Sequence, residues 1–324
     1  GRYVSISGDG NRLIVGNYNA YETYEWDGNS WGNINLTVSL SNIHQIELNY
    51  FGDRVVVGSH TGNHFSTTFA SVWFQDNSSW SQLGSNILSN NSSNYTFAES
   101  VDIDSIGNRI VIGSPDAYSS SSGYLEIYEY VNSNWLQLGS DIISVPQSYS
   151  FGHEVFISSD GNIVAGSAYQ NEFQNISYCS LGYLGFAEVY ENIGNNWQLV
   201  GSTVCGETNS SELVSLSSDG KKIVLGEHSY NVGQVNDVGK ITIFENINNN
   251  WISNGDIIGD STESGKFGLG CVLSNNGEIV AVGSPSMYVN TSSNSGTIEV
   301  FNISTGIQYT SPACSGCTDS LALN

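Results

Sequence analysis

The fold is decided by residues 101–114, which read Val101-Asp102-Ile103-Asp104-Ser105-Ile106-Gly107-Asn108-Arg109-Ile110-Val111-Ile112-Gly113-Ser114. A short alternating strand leads into a Gly-Asn turn, and a run of β-branched residues then ends in Gly and Ser. The alternating strand separates two different environments, whereas the β-branched run is typical of a strand buried on both faces. This stretch therefore predicts a β-hairpin whose second strand lies in the protein interior.

The same hairpin pattern occurs six times in the sequence, and each copy ends with a glycine. The first strands are residues 4–6, 46–48, 101–103, 155–157, 214–216 and 271–273. The closing glycines are 42, 55, 53, 60 and 57 residues apart, which is the length of one four-stranded unit. A third strand follows in each copy, and in five copies a tryptophan opens the fourth strand, namely Trp31, Trp80, Trp135, Trp197 and Trp251. We predict an all-β protein, a β-propeller of six four-stranded antiparallel blades, with seven blades as the alternative if terminal segments or a neighbouring chain complete another sheet.

The repeats also set the predicted domain organisation. The propeller covers residues 1–311, with repeats at approximately 1–40, 41–94, 95–148, 149–205, 206–262 and 263–311, and a Cys-containing tail or linker covers 312–324. Because the chain begins at Gly1 rather than Met, we expect a mature or excised piece of a longer polypeptide. The five tryptophans are expected to act as wedges that pack blade against blade.

Composition excludes two classes of partner. Eight basic and 31 acidic residues give a formal net charge of −23, so we expect neither nucleic acid nor an anionic membrane to bind. No apolar run approaches the roughly 18 residues that a membrane-spanning helix needs. Five cysteines and Asn-rich loops favour an oxidising compartment, and we predict an extracellular or cell-surface location.

Short motifs at the repeat boundaries resemble a known family. Phe151-Gly152 and Phe267-Gly268 open two copies, Phe97 opens a third, and Gly113-Ser114-Pro115 and Gly283-Ser284-Pro285 close two copies. This pattern resembles the FG-GAP repeat of integrin-α-type β-propellers and of secreted microbial surface proteins. Residues 316–324, Gly-Cys-Thr-Asp-x-x-Ala-x-Asn, are similar to a Cys motif between domains of large secreted proteins of aquatic microbes, which implies a further module.

The resemblance does not extend to the calcium-binding loops of that family. Calcium-binding members of that family carry an Asp-rich loop between the first two strands, whereas residues 158–161 and 217–220 are only Ser-Ser-Asp-Gly. This turn has too few oxygens for Ca²⁺, which takes six to eight ligands. We therefore predict no metal and no cofactor.

Covalent modifications are predicted mainly on the long loops, which all lie on one face of the predicted meander. Cys179 and Cys205 are placed to form a disulfide there, Cys314 and Cys317 are spaced to pair locally, and Cys271 is expected to be a buried thiol. Nine N-glycosylation sequons are predicted acceptors if the chain is secreted, at Asn35, Asn77, Asn90, Asn91, Asn94, Asn175, Asn209, Asn290 and Asn302.

One set of aligned residues suggests a metal site or a catalytic site. The position two residues before the first strand aligns His44, Glu99, His153 and Glu212, and if the first strands are innermost these side chains ring one mouth of the central channel. Two His and two carboxylates could bind a transition metal or act in acid–base catalysis, although polar residues also line solvated channels that hold no site. The sequence has no Gly-x-Ser-x-Gly elbow, His-Glu-x-x-His or Walker motif.

Repeats without catalytic motifs favour a protein that is not an enzyme. Our main prediction is a non-enzymatic extracellular structural or adhesive module, a repeating unit of a glycosylated surface protein, sheath or filament that contacts other copies or modules head-to-tail. The first alternative is a carbohydrate- or ligand-binding propeller that uses Tyr18, Tyr169 or Tyr288 near the long loops. The second alternative is a hydrolase or lyase with its site at the channel mouth, because propellers host all three functions.

Overall fold

The protein is a six-bladed β-propeller, as the repeats predict. The computed structural model describes residues 3–40, 42–60, 68–76, 79–89, 96–115, 123–144, 150–168, 185–208, 213–262, 264–286, 296–304 and 307–309. These residues form six antiparallel sheets and no helix. Accordingly, this part of the chain contains no helix long and apolar enough to cross a membrane.

Each sheet is one blade, and its strands follow one another in chain order. Blades one to three contain β1 (Tyr3–Ile6), β2 (Arg12–Gly16), β3 (Ala20–Trp26) and β4 (Trp31–Ser39); β5 (Ile43–Leu48), β6 (Arg54–His60), β7 (Thr68–Asp76), β8 (Ser79–Gln82) and β9 (Ile87–Leu88); and β10 (Ser100–Ile103), β11 (Arg109–Ser114), β12 (Tyr124–Val131), β13 (Asn134–Gln137) and β14 (Ile142–Ile143). Blades four to six contain β15 (Val155–Ile157), β16 (Ile163–Ala168), β17 (Phe186–Ile193), β18 (Asn196–Leu199) and β19 (Val204–Cys205); β20 (Leu213–Leu216), β21 (Lys222–Glu227), β22 (Lys240–Asn246) and β23 (Trp251–Ile258); and β24 (Gly270–Leu273), β25 (Ile279–Ser284), β26 (Thr297–Asn302) and β27 (Ile307–Tyr309).

In blades one to five the fourth strand is either broken or bulged. In blades two, three and four it stops at a glycine with positive φ, at Gly84, Gly139 and Gly201, and the short strands β9, β14 and β19 resume pairing with the third strand. In blades one and five, β4 and β23 run through the same place and the register with the third strand shifts there instead. A β-bulge accommodates this mismatch without ending the strand.

The break in the fourth strand frees a backbone carbonyl that the next blade uses. The residue before the glycine accepts a hydrogen bond from the indole N–H of a tryptophan in the following blade. The pairs are Trp135 with Leu83 at 2.8 Å, Trp197 with Leu138 at 2.8 Å, and Trp251 with Val200 at 2.9 Å. These tryptophans therefore link blades, as the sequence predicts.

The recurring glycines mark close contacts between consecutive blades. The carbonyl oxygens of Ala98, Gly152 and Gly268 lie against Gly58, Gly113 and Gly226 of the preceding blades, so closely that a Cβ on any of those glycines would overlap the oxygen. Ala98, Gly152 and Gly268 have φ values of 60°, 94° and 86°, and each follows a fully buried phenylalanine. Positive φ favours glycine, which explains the Phe-Gly motif in physical terms.

The chain divides into two compact units, residues 1–166 with 190–198 and residues 167–189 with 199–324. In the first unit β1 contacts β5, β5 contacts β10 and β10 contacts β15; in the second, β20 contacts β24. The first strands of consecutive blades are thus neighbours within each unit. This arrangement brings together the side chains at the middle positions of the alternating strands.

Candidate functional site

Two carboxylates occupy the middle of neighbouring first strands in the first unit. Glu47 is on β5 and Asp102 is on β10. The residues on either side of Asp102, Val101 and Ile103, are buried in the hydrophobic core between blades two and three. Because side chains alternate along a strand, the middle residues face away from that core.

Asp102 is held rigidly by backbone groups. Its Oδ1 accepts a hydrogen bond from the backbone N–H of Ile103 at 2.8 Å, and its Oδ2 accepts one from the N–H of Ile157 in the next blade at 2.8 Å. Ser5 forms the corresponding link in blade one, where its Oγ accepts from the N–H of Leu48 at 3.0 Å. The middle residues therefore join successive first strands.

Glu47 is held by side chains rather than by the backbone. The hydroxyl of Ser5 donates to its carboxylate, and Gln45 Nε2 lies 3.3 Å from Glu47 Oε1. Gln45 is itself fixed, because its Oε1 accepts from the N–H of Val101 at 3.1 Å. Burial raises the pKa of Glu47 to about 7, the charge of Glu154 adds to this rise, and the hydrogen bonds from Ser5 and Gln45 oppose it.

The pKa of Asp102 is raised as well. Burial is the main cause, and the charge of Glu47 is the next. Both residues are partly exposed, although protein surrounds their carboxyl groups. The pair therefore retains a proton near neutral pH and can still be reached from solvent, which are the two properties that an acid–base catalyst needs.

The predicted ring of His and Glu residues is only partly described. His44 lies at the register shift between β5 and β6, where a bulge can redirect a side chain. Glu99 and His153 occupy equivalent turns before β10 and β15, and their N–H groups donate to Thr96 and Ser150. Glu212 falls outside the described residues. The structure thus places Glu99 and His153 in one setting and His44 in another.

Sequence reasoning missed Glu47 and Asp102. The six copies have Ser5, Glu47, Asp102, Phe156, Ser215 and Val272 at this position. An ionisable residue in two consecutive copies, between apolar neighbours, is the signal that could have identified them. The alternation by itself predicts only a strand that lies between two different environments.

Most predicted modification and ligand positions lie outside the described residues. Those are Cys179, Cys314, Cys317, Asn77, Asn90, Asn91, Asn94, Asn175, Asn209, Asn290, Tyr169 and Tyr288. Among the others, Cys205 is in a disulfide bond, Cys271 is a half-buried rather than a fully buried thiol, and Tyr18 is exposed. Asn35 lies on β4, and Asn302 is half-buried at the end of β26.

A second charged cluster surrounds Lys240 in the second unit. The buried Nζ of Lys240 lies 2.9 Å from Glu207 Oε2, 3.4 Å from Glu227 Oε1 and 3.7 Å from Asp256 Oδ2, and 4.5 Å from the ring centre of Tyr230. Glu227 also accepts two backbone N–H groups, from residues 207 and 208. This network fixes the loops around blade five. Across the described residues, no group of three or more His, Cys, Asp or Glu side chains is placed to hold a metal ion.

Glu126 of β12 is a buried carboxylate apart from the first strands, and it predicts how stability depends on pH. Burial raises its pKa to about 7, against an opposing hydrogen bond from the Tyr128 hydroxyl at 3.0 Å. A carboxyl group whose pKa is higher in the folded state than in the unfolded state stabilises the fold at pH values below its unfolded-state pKa. This contribution is lost as the pH rises through its folded-state pKa.

We therefore expect the free energy of unfolding to fall between pH 5 and pH 8. The share of Glu126 in this fall is about 3 kcal/mol at most. Urea denaturation of the wild type and of Glu126→Gln at pH 5, 6.5 and 8 measures it, because the variant should show a shallower fall. Equal slopes in the two proteins would contradict the prediction.

The comparisons with known proteins identify the fold. No protein-family model matches the chain, and no curated protein matches it either. Among solved structures, a periplasmic gluconolactonase of Pseudomonas aeruginosa is 14% identical, with a TM-score of 0.61 over 97% of this chain and 85% of the other. A candidate 6-phosphogluconolactonase of Bacteroides uniformis is 13% identical, with a TM-score of 0.59 over 95% and 82%. A functionally unknown protein of Desulfotomaculum acetoxidans is 11% identical, with a TM-score of 0.61 over 97% and 86%.

These findings support the six-bladed propeller and correct our main functional prediction. The non-enzymatic structural or adhesive module is contradicted, because two of the similar structures carry the names of propeller enzymes. That prediction is wrong because a propeller can assemble the side chains of a site from separate repeats, so the absence of a contiguous motif does not exclude a site.

Proposed function

We propose that the protein is a hydrolase that opens a neutral sugar lactone, with Glu47 as the acid–base group. The observation that carries the proposal is the placement of Glu47 beside the rigidly held Asp102 on neighbouring strands, where burial raises the pKa of Glu47 to about 7. An ideal general base titrates near the pH at which it works. The gluconolactonase names of two proteins with the same fold support lactones as the substrate class.

The proposed reaction needs one mobile proton and one water molecule. The Glu47 carboxylate removes a proton from water as the water oxygen attacks the carbonyl carbon of the lactone. The bond between the carbonyl carbon and the ring oxygen then breaks, and Glu47 returns the proton to that oxygen. The product is a hydroxy acid, and Glu47 is again ionised.

The other residues position Glu47 in this scheme. Both oxygens of Asp102 accept backbone N–H groups, so Asp102 is a positioning residue that keeps a carboxyl group beside Glu47 and thereby raises the cost of ionising the pair. Ser5 and Gln45 orient the Glu47 carboxylate. A substrate carbonyl would approach from the solvent-accessible side of Glu47.

The charge of the protein supports a neutral substrate over a phosphorylated one. The net charge is −23, and the site gathers three carboxylates, Glu47, Asp102 and Glu154. A phosphate group would be repelled by this field unless paired with Arg or Lys. The two side chains that hydrogen-bond to the Glu47 carboxylate, Ser5 and Gln45, are both neutral.

We also propose an extracellular location and repeats of the FG-GAP type. The disulfide at Cys205 supports an oxidising compartment. The buried phenylalanines Phe97, Phe151 and Phe267, each followed by a residue of positive φ, support the repeat type.

A direct assay tests the function. We expect the purified protein to hydrolyse δ-gluconolactone at pH 6.5 faster than the spontaneous reaction, and to have at least a tenfold lower kcat/KM for 6-phosphogluconolactone. Acid release is followed in a pH-stat, with heat-denatured protein as the control. If a panel of five- and six-membered lactones is hydrolysed no faster than in the control, the proposal is wrong.

A further inference from the structure

Two asparagines of the second unit are each followed by a glycine. They are Asn254 with Gly255 on β23, and Asn276 with Gly277 in the turn between β24 and β25. Asparagine is among the chemically labile residues of proteins. Because glycine has no Cβ, little obstructs the approach of its backbone nitrogen to the side-chain carbonyl carbon of the asparagine before it. The two pairs therefore offer the same covalent chemistry in two different backbone settings.

The side chain of Asn276 is fixed by hydrogen bonds from both ends of its amide group. Its Oδ1 accepts from the Ser274 hydroxyl at 2.8 Å and from the backbone N–H of Glu278 at 3.1 Å, and its Nδ2 donates to Glu278 Oε2 at 3.0 Å. The N–H of Gly277 is engaged as well, because it donates to the carbonyl oxygen of Ser274 at 2.8 Å. The nitrogen and the side chain cannot approach each other unless the turn opens.

Asn254 lies at the β-bulge of blade five and is the extra residue of that bulge. The register with β22 shifts so that Ser253 and Gly255 are paired whereas Asn254 is not. Gly255 has a φ of 122°, and its N–H donates to Ser253 Oγ over a long distance, 3.4 Å. Within the part of the chain that the structure describes, no hydrogen bond holds the Asn254 side chain. The bulge thus leaves to Asn254 the freedom that the turn removes from Asn276.

We propose that Asn254 is a site of spontaneous deamidation in the folded protein. The backbone nitrogen of Gly255 attacks Cγ of Asn254, the proton of that nitrogen passes to the departing amide nitrogen, and ammonia leaves. This closes a five-membered succinimide ring. Water then adds to one of the two ring carbonyl carbons and breaks its bond to nitrogen, which gives aspartate or isoaspartate. One water is consumed and one ammonia is released, without any oxidant or reductant.

The modification would alter the charged cluster around Lys240. Asp256 is two residues further along β23, where it pairs with Thr242, and its Oδ2 lies 3.7 Å from Lys240 Nζ. Isoaspartate adds one carbon atom to the main chain at Asn254. Because side-chain positions across a sheet depend on the register of the strands, we expect this form to displace Asp256 and to weaken its ion pair with Lys240.

Peptide mapping tests the proposal on the full chain. Trypsin cuts after Lys240 and Lys266 and so separates Asn254 from Asn276. The protein is incubated at pH 8 and 37 °C, folded or in urea, and the peptides are weighed, since deamidation adds about 1 Da. A sample digested without incubation corrects for modification during digestion. Asn254→Gln assigns the signal among the five asparagines of peptide 241–266, because glutamine would have to form a six-membered ring.

We expect Asn254 to deamidate about ten times faster than Asn276 in the folded protein, and the two rates to agree within about threefold in urea. Asn254→Gln should remove the fast modification from peptide 241–266. Equal rates in the folded protein overturn the proposal, and so does a peptide 241–266 that stays unmodified. A folded-state ratio that urea leaves unchanged also overturns it, because the difference would then come from the neighbouring sequence rather than from the bulge.

The effect on the Lys240 cluster has its own measurement. The aged protein that carries one added charge is purified by anion exchange and compared with Asn254→Asp, which has the same charge and an unaltered main chain. We expect the aged protein to unfold at a temperature about 2 °C lower or more. Equal midpoints would contradict the predicted displacement of Asp256.

Discussion

Replacing Glu47 by Gln is expected to lower kcat for lactone hydrolysis by about 100- to 1,000-fold. Gln keeps the size of the side chain and its polar contacts with Ser5 and Gln45 but cannot take a proton from water. The matched control is Glu126→Gln, which removes another carboxylate with a raised pKa from the same unit, away from the first strands. Initial rates at saturating δ-gluconolactone distinguish the two variants.

The pH dependence gives an independent measure of the same residue. Because Glu47 acts as a base, kcat/KM of the wild type should rise with pH, with a midpoint of about 7. Asp102→Asn removes the acidic neighbour and should move this midpoint to lower pH, an effect that loss of structure alone would not produce. Full activity of Glu47→Gln, with an unchanged pH profile, would assign the chemistry to other residues.

The second large effect, a loss of stability, is expected when a single methyl group is added at Gly113. Gly113→Ala would place its Cβ in severe overlap with Ser100 Oγ and the carbonyl oxygen of Gly152, and in close contact with Val155. The carbonyl is part of the next blade and is held by a hydrogen bond from the Ser100 hydroxyl at 2.7 Å. It cannot move without shifting the blade, so we expect the substitution to cost about 3 kcal/mol of unfolding free energy.

Gly283→Ala is the control for this prediction, because Gly283 holds the same place in the repeat and a Cβ there would make only an ordinary contact with the carbonyl oxygen of Gly270, at 3.7 Å. We expect its urea denaturation midpoint to equal that of the wild type or to lie slightly above it, since Ala restricts the unfolded chain. If both alanine variants shift the midpoint equally, the effect reflects the backbone of the strand rather than contact between blades.

Local patterns predicted most of the fold. The alternating strands and the β-branched strands appear at the predicted places. Both follow from the periodicity of side chains within a few residues of each other. The role of the tryptophans was also predictable, because a large aromatic residue repeated once per blade is most economically buried between blades.

The candidate site was not predictable in the same way. Glu47 and Asp102 are separated by a whole repeat, and they become neighbours only because β5 and β10 come together. Their raised pKa values arise from burial and from each other's charge, and no sequence window contains either cause. The predicted ring of His and Glu residues was based on alignment of the repeats, and the bulge at His44 shows that aligned residues need not share a backbone setting.

The basic residues at the start of the second strands have an evolutionary consequence. Arg12, Arg54 and Arg109 donate to the turn carbonyls of Gly52, Gly107 and Gly161 in the following blades. Blades two and three thus each contain a donor for the blade ahead and an acceptor for the blade behind. A gene duplication that copied one such repeat would add a blade with both of its connections already in place, so that the number of blades could change in one genetic event without new contacts having to evolve.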